Sequence, residues 1–145
     1  MIRSILTVCI GNICRSPMAE ALIKARLPDV EINSAGIDAL VGRSADKLAI
    51  ELMGERLISI GGHRAQQLVA PFCTTADMIL AMDDSQVAYI EKRYPTCRGK
   101  VFKLGKFNDF DIKDPYGGTR TDFEVCLDSI DRGVNEWVDR IRLFN

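Results

Sequence analysis

The sequence contains only one histidine and one tryptophan among its 145 residues, and it lacks any long apolar run. A membrane-spanning helix needs about 20 consecutive apolar residues, so no membrane insertion is expected. A basic excess is also absent, because 19 Lys and Arg residues face 20 Asp and Glu residues for a net charge of −1. Nucleic-acid-binding proteins usually carry such an excess, so no nucleic-acid partner is expected.

The chain also lacks the usual signs of secretion or of a metal site. Its first nine residues carry one charge and a short apolar run, unlike a signal peptide, so we expect a cytoplasmic protein. An odd number of cysteines favours free thiols over a disulfide framework. A single histidine and no Cys-x2-Cys pair predict no metal, and no cofactor motif is present. The five cysteines are Cys9, Cys14, Cys73, Cys97 and Cys126.

Apolar runs alternate with helical periodicity along the whole chain, which predicts a single α/β domain over residues 1–145. Predicted strands cover 4–9, 30–34, 78–81 and 101–104. Predicted helices cover Pro17 to about Pro28, 46–56, a short stretch at 65–69, 84–94 and a long closing segment at 123–141. This alternation indicates a three-layer sandwich, with helices on both faces of a four-stranded parallel sheet. Ligands of such sheets bind beyond the carboxyl ends of the strands.

The turn at residues 9–16, after the first strand, has the composition of an anion site. Ser16 before Pro17 is a helix-start signal, with serine as the cap and proline in the first turn. The N–H groups and the dipole at a helix N-terminus attract anions. Gly11 permits close backbone approach, and Asn12 tolerates the dihedral angles of a tight turn.

Cys9 and Arg15 would supply reactivity in this turn. Nearby N–H donors stabilise a thiolate, which is a good nucleophile. Arg15 can hold two phosphate oxygens at once, and Ser16 could donate a hydrogen bond to the sulfur. A lone cysteine at a strand end is usually a small buried apolar residue. The combination with a spaced arginine and a glycine favours a nucleophile instead.

A thiolate nucleophile also needs an acid that protonates the departing oxygen. Asp114 is the candidate, because Pro115 stiffens the backbone beside it and Tyr116 can stack on an aromatic substrate. An Asp-Pro pair on its own is more often only a turn signal.

Together these motifs resemble the low-molecular-weight protein tyrosine phosphatases over essentially the whole chain. The matching segments are Val8–Glu20, Ser34–Gly36 and Asp114–Tyr116, in the same order and at the same spacing. The resemblance implies metal-free hydrolysis of phosphotyrosine through a phosphocysteine on Cys9, with Asp114 as acid and then base. It also implies phosphate binding by Arg15, Ser16 and the turn residues Ile10, Gly11, Asn12, Ile13 and Cys14.

The resemblance further implies a network that holds the turn in shape. Its members would be Asn12, Ser16, Ser34 and His63. On this view the single histidine supports the turn and takes no part in catalysis; alternatively, it is a turn residue without a role. Cys14 could form a disulfide with Cys9 under oxidation, or it could merely pack.

Three other functions use a similar turn. Protein arginine phosphatases resemble this chain in the loop from Asp114 to Gly118, but they have a threonine where this chain has the apolar Ile13. Arsenate reductases need further cysteines just after the third strand, and residues 79–84 contain none. A non-catalytic phosphoprotein-binding module would be expected to have lost Cys9, Arg15 or Asp114.

The cavity wall distinguishes eukaryotic from bacterial relatives. Eukaryotic members carry an aromatic residue in the loop after Ser34, whereas Leu40 is expected at that position here. In this respect the chain resembles bacterial enzymes that act on tyrosine autokinases controlling capsule or exopolysaccharide export. The resemblance therefore implies a phosphotyrosine protein as partner, with a membrane-bound tyrosine autokinase as the specific candidate.

Overall fold

The computed structural model, which describes residues 1–145, contains one sheet of four parallel strands. The strands are β1 (Ser4–Cys9), β2 (Glu31–Gly36), β3 (Met78–Ala81) and β4 (Val101–Lys103), in the spatial order β2-β1-β3-β4. The predicted four-stranded parallel sheet is therefore confirmed. The connection after β1 runs to β2 on one side and the connection after β3 runs to β4 on the other, so a crevice opens between the carboxyl ends of β1 and β3.

Five helices cover the two faces of the sheet. They are α1 (Arg15–Arg26), α2 (Lys47–Glu55), α3 (Ala70–Thr75), α4 (Asp84–Arg93) and α5 (Arg120–Phe144). Short 3-10 turns occur at Pro95–Cys97 and Lys106–Asn108. None of the helices has the length and apolar character needed to cross a membrane.

The alternation of side chains along β1 divides the apolar residues into two cores. Ile5 and Cys9 contribute to the larger core, which α1, α2 and α5 cover. Leu6 and Val8 point to the smaller core under α3 and α4. Cys9 therefore emerges at the end of β1 on the face that α1 and α5 cover.

The prediction of a helix at 65–69 is wrong, because this segment is extended and the short helix follows it as α3. Gln67 forms an isolated parallel bridge with Gly36. The N–H of Gly36 donates to the carbonyl of Gln66, and the N–H of Leu68 donates to the carbonyl of Gly36. Ala65 and Leu68 are buried at a helical spacing, but the end of β2 offers their backbone better partners than a helix of five residues would.

The start of α1 also differs from its prediction. The helix begins at Arg15 with Cys14 as its N-cap residue, and no side chain caps it. Ser16 is therefore inside the first turn, with Pro17 after it. The Ser16 hydroxyl is not available for capping because it faces Cys9.

Candidate active site

The turn after β1 directs its carbonyl groups outward and leaves its N–H groups free. Four carbonyls accept hydrogen bonds of 2.8–3.0 Å from the surrounding backbone. The pairs are Cys9 with Ile37, Ile10 with Asp38, Gly11 with Leu40 and Ile13 with Asp46. The N–H groups of residues 10–14 donate to no acceptor in the protein. A concave row of such N–H groups at a helix N-terminus is a binding site for an anion.

Asn12 holds this turn from the inside. It is fully buried and adopts the left-handed region with φ +59°, which asparagine tolerates better than most residues. Its Nδ2 donates to the hydroxyls of Ser16 at 2.8 Å and Ser34 at 3.0 Å. Its Oδ1 accepts from the N–H of Gln66 at 2.9 Å, and its carbonyl lies 2.7 Å from Nε2 of His63. The four residues expected to support the turn are thus brought together.

Two further residues belong to this network. Glu20 accepts a hydrogen bond of 2.7 Å from the Ser34 hydroxyl and lies 4.0 Å from Nδ1 of His63. Gln66 also donates from Nε2 to the Ser34 carbonyl at 2.8 Å. Glu20 lies within the recognised motif, but its partners are distant in the sequence, so no local pattern indicates its role.

A chain of hydrogen bonds, each with a defined donor, ends at Sγ of Cys9. The Gln66 N–H must donate, so it fixes the orientation of the Asn12 amide and makes Nδ2 the donor to Ser16. The Ser16 hydroxyl already accepts from Asn12, so its own proton can point to Sγ of Cys9, 2.9 Å away. A hydrogen bond donated to sulfur favours the thiolate.

Cys14 differs from Cys9 although both line the same cavity. Burial raises the pKa of the Cys14 thiol far above its ordinary value, and the nearby Asp46 and Cys9 add to this shift. Cys14 is therefore a protonated thiol at neutral pH and a poor nucleophile. All five cysteines are free thiols, and a Cys9–Cys14 disulfide stays a prediction.

Arg15 is buried, with 4% of its side chain exposed. Its NH1 donates to the carbonyl of Ile112 at 2.8 Å, and its guanidinium lies 3.9 Å from Asp83 and 3.7 Å from Asp114. The other guanidinium N–H groups donate to no protein acceptor and can bind an oxyanion. Sequence reasoning missed Asp83 and Ile112, because one reads as a helix cap and the other contributes only a carbonyl.

A cavity of about 240 Å³ opens above the turn. Ile10 and Tyr116 stand at its rim with 40% and 55% of their surface exposed, whereas Ile13 is buried in its wall. The lining residues are Cys9, Ile10, Gly11, Ile13, Cys14, Arg15, Asp38, Leu40, Asp114 and Tyr116. Leu40 thus lines the cavity, and Asp38 is an additional wall residue. Apolar walls above an anion site suit a flat ring attached to a phosphate.

Asp114 lies at this cavity on a loop, far from Cys9 in the sequence. Its side chain is 48% exposed, and its Oδ2 is 3.7 Å from NH2 of Arg15. Its Oδ1 accepts a hydrogen bond of 3.1 Å from the N–H of Tyr116. A carboxyl group beside the anion site can pass a proton to an oxygen that leaves phosphorus.

The sheet separates Cys73 and Cys97 from Cys126. Cys73 and Cys97 are buried in the smaller core, on the face opposite to Cys9. Cys126 of α5 lies in the larger core, and burial raises its pKa to about 12 even though Arg15 opposes this shift.

Comparisons with known proteins agree with this geometry. Residues 4–143 match the family model for low molecular weight phosphotyrosine protein phosphatase. The chain is 53% identical over 142 residues to a Ralstonia nicotianae protein named "Probable low molecular weight protein-tyrosine-phosphatase EpsP", covering 98% of both chains. The solved Erwinia amylovora tyrosine phosphatase AmsI is 42% identical with a TM-score of 0.93, over 97% of this chain and 93% of that one.

A solved arginine phosphatase is also similar. YwlE from Geobacillus stearothermophilus is 34% identical to this chain with a TM-score of 0.91, over 97% of this chain and 94% of that one. The backbone alone therefore does not separate the two substrate classes, and the side chains of the cavity have to do so.

Proposed function

Because the chain belongs to the low molecular weight phosphotyrosine protein phosphatase family, we propose that it hydrolyses phosphotyrosine in proteins through a phosphocysteine on Cys9. The observation that carries the proposal is the donor chain from Gln66 through Asn12 and Ser16 to Sγ of Cys9. It favours a thiolate at the bottom of a cavity whose floor consists of unpaired N–H groups.

In the first step the Cys9 sulfur attacks phosphorus, and the bond from phosphorus to the phenolic oxygen breaks. The free N–H groups of residues 10–14 and the guanidinium of Arg15 bind the phosphoryl oxygens while their charge is redistributed. Asp114 gives its proton to the phenolic oxygen, so that tyrosine leaves as the neutral phenol.

In the second step water attacks the phosphocysteine, and Asp114 takes a proton from that water. The sulfur–phosphorus bond breaks and inorganic phosphate is released. The electron pair returns to the Cys9 sulfur, where the hydrogen bond from Ser16 stabilises the departing thiolate. Asp114 is then protonated again, and Cys9 is ready for another substrate.

The walls of the cavity favour tyrosine over arginine. Ile13, Leu40 and Tyr116 offer apolar and aromatic surface to a ring. Ile13 offers no polar group to a phosphoguanidinium. Reduction of arsenate is not supported, because residues 79–84 contain no cysteine, and Cys73 and Cys97 lie on the face of the sheet opposite to Cys9. A module that only binds phosphoproteins would have no need for a nucleophile, an arginine and an acid at one cavity.

The proposed physiological substrate is a membrane-bound tyrosine autokinase that controls capsule or exopolysaccharide export. The support for this partner is the family resemblance together with Leu40, which we expect to take the place of the aromatic residue that eukaryotic members carry. The proposed location is the cytoplasm, where reducing conditions would keep the five thiols free.

The test of the nucleophile is a metal-free assay that compares a phosphotyrosine peptide with the matched phosphoarginine peptide. We expect wild-type protein to hydrolyse the phosphotyrosine peptide at the higher kcat/KM, and Cys9→Ser to lose turnover of both. Turnover that survives in Cys9→Ser would exclude the phosphocysteine on Cys9. A preference for phosphoarginine would exclude the tyrosine assignment.

The test of the acid is Asp114→Asn, which keeps the size of the side chain but removes its proton. General acids contribute about 10²–10⁴-fold, so we expect kcat/KM for phenyl phosphate to fall about 100-fold or more. Inhibition by inorganic phosphate should be nearly unchanged, because the N–H groups and Arg15 remain in place. An unchanged rate would remove Asp114 from the mechanism.

A further inference from the structure

Lys103 ends β4 and is a charged side chain with only 9% of its surface exposed. Its Nζ lies 2.7 Å from a carboxylate oxygen of Asp109, and 3.1 Å from oxygens of Asp84 and Asp111. Nζ donates hydrogen bonds to Asp84 and Asp111 and forms its shortest ion pair with Asp109. These contacts, that with Asp109 first, raise the pKa of Lys103 and keep it charged.

The three carboxylates come from two separate segments. Asp84 begins α4, whereas Asp109 and Asp111 belong to the loop at residues 105–118. All three are within hydrogen-bonding distance of one nitrogen, so without its charge they would repel one another at short range. Lys103 therefore holds this loop against the start of α4.

Ile112 transmits this restraint to the cavity. Its N–H donates to the carbonyl of Met82 at 2.8 Å, and its carbonyl accepts from NH1 of Arg15 at 2.8 Å. Asp111 directly precedes Ile112, and Asp114 follows it by two residues. The Asp114 side chain is half exposed, so its position depends on the backbone of this loop.

We propose that Lys103 is a positioning residue for Asp114. By gathering Asp84, Asp109 and Asp111, it fixes the loop in the arrangement that brings the Asp114 carboxyl to the oxygen leaving phosphorus. Lys103 touches neither the substrate nor the reacting atoms. This inference rests on the acid role proposed above for Asp114.

The test uses Lys103→Met and two substrates that differ in their need for an acid. Phenol is a poor leaving group and needs a proton, whereas p-nitrophenol leaves readily as an anion. If the variant displaces Asp114, kcat/KM for phenyl phosphate should fall about 10-fold or more, a part of the general-acid contribution. The value for p-nitrophenyl phosphate should fall about 3-fold or less. A purely structural defect would lower both values by the same factor.

Two control variants distinguish the loss of the contacts between Lys103 and the three carboxylates from the general loss of one positive charge. Lys106→Met removes a lysine from the same loop that lies over the Phe102 ring and makes no contact with the three carboxylates. It should leave unchanged the ratio of kcat/KM for phenyl phosphate to kcat/KM for p-nitrophenyl phosphate. Lys103→Arg keeps the charge and should restore most of the ratio. A Lys106→Met effect as large as that of Lys103→Met would overturn the proposal.

A further variant tests the proposal even if Lys103→Met does not fold. Asp109→Asn removes the carboxylate closest to Lys103, and asparagine tolerates the left-handed backbone of this position, φ +49°. It should lower the ratio in the same direction but by a smaller factor. An unchanged ratio in both variants, while Asp114→Asn lowers it, would refute the positioning role alone. An unchanged ratio in Asp114→Asn would refute the acid and the positioning role together.

Discussion

Asn12 meets four requirements of the turn at residues 9–16 with its backbone conformation, its side chain and its carbonyl. It occupies a left-handed backbone position, accepts from the partly buried N–H of Gln66, and orients the hydroxyls of Ser16 and Ser34. Its carbonyl is held by His63. An apolar side chain of similar size could satisfy neither the Gln66 N–H nor the hydroxyls of Ser16 and Ser34, and each buried polar group left alone costs about 1–3 kcal/mol.

Asn12→Ala should therefore lower both stability and activity. We expect the free energy of unfolding to fall by about 3 kcal/mol, because the Gln66 N–H loses its acceptor and alanine resists a positive φ. The kcat should fall as well, because Ser16 is no longer oriented toward Cys9. Urea denaturation and a phenyl phosphate assay measure the two effects.

The matched control for this variant is Asn33→Ala. Asn33 is exposed on β2, and its side chain makes only a long hydrogen bond of 3.4 Å to Glu31. We expect a change within about 0.5 kcal/mol. Equal destabilisation by the two substitutions would show that the buried network of Asn12 adds nothing.

At the scale of elements, α5 is held close to the start of the loop that carries Asp114, the proposed acid. Gly133 faces Leu104, and a Cβ at position 133 would lie 2.8 Å from Leu104 Cγ and 2.9 Å from its carbonyl oxygen. Directly before Leu104, the Lys103 carbonyl accepts a hydrogen bond of 3.3 Å from Nε1 of Trp137. The glycine therefore permits the close approach that lets α5 support this loop.

Gly133→Ala should destabilise the protein although alanine is the better helix former. Helix propensity favours alanine by about 1 kcal/mol, but overpacking against Leu104 costs about 1–3 kcal/mol. Gly54→Ala in α2 is the control, because a Cβ there meets no atom within 4 Å. That variant should be more stable by up to about 1 kcal/mol. Thermal or urea unfolding measures the stability change of each variant. Changes of the same sign in the two variants would contradict this account.

The elements that the sequence predicts well are those with a strong periodic signal. The strand at 4–9 is observed with the same limits, and the buried face of α5 follows the predicted pattern from Phe123 to Ile141. The segment at 65–69 was not predictable, because its hydrogen bonds to Gly36 depend on tertiary structure. The same holds for the predicted Ser16 cap, since nothing local shows that Cys9 faces this hydroxyl.

The candidate site likewise contains residues that the sequence predicts and residues that only the structure reveals. The proposed nucleophile, phosphate-binding arginine and acid lie in recognisable motifs, and the structure brings Cys9, Arg15 and Asp114 to one cavity. Glu20 and Lys103 act through partners that are distant in the sequence. Such contacts leave no periodicity or spacing in the chain, so sequence reasoning did not find them.

At the scale of the whole molecule, the five thiols are distributed over both faces of the sheet, and all of them are buried. Cys73 and Cys97 lie in one core, and Cys9, Cys14 and Cys126 lie in the other. Burial raises the pKa of Cys73 and Cys126 to about 12, and that of Cys14 still further. Thiols with such pKa values stay protonated and unreactive at neutral pH.

The folded protein should therefore take up one carboxymethyl group from iodoacetate, on Cys9. The reagent is an anion and should be drawn to the free N–H groups of the turn, so inorganic phosphate should slow the reaction. Mass spectrometry of the intact protein at about pH 7 measures the uptake. Cys9→Ser should take up none while folded, and a second labelled thiol in folded wild-type protein would contradict this assignment.

The outward-facing carbonyls of the turn have a consequence for selective inhibition. Backbone bonds to residues 37–46 hold the phosphate-binding N–H groups, whereas side chains such as Leu40 and Tyr116 form the mouth of the cavity. The mouth can therefore vary between relatives without altering affinity for the anion. A compound that satisfies only the N–H groups would inhibit every member with this turn. Discrimination between members of the family has to come from groups that extend to the mouth of the cavity at Leu40 and Tyr116.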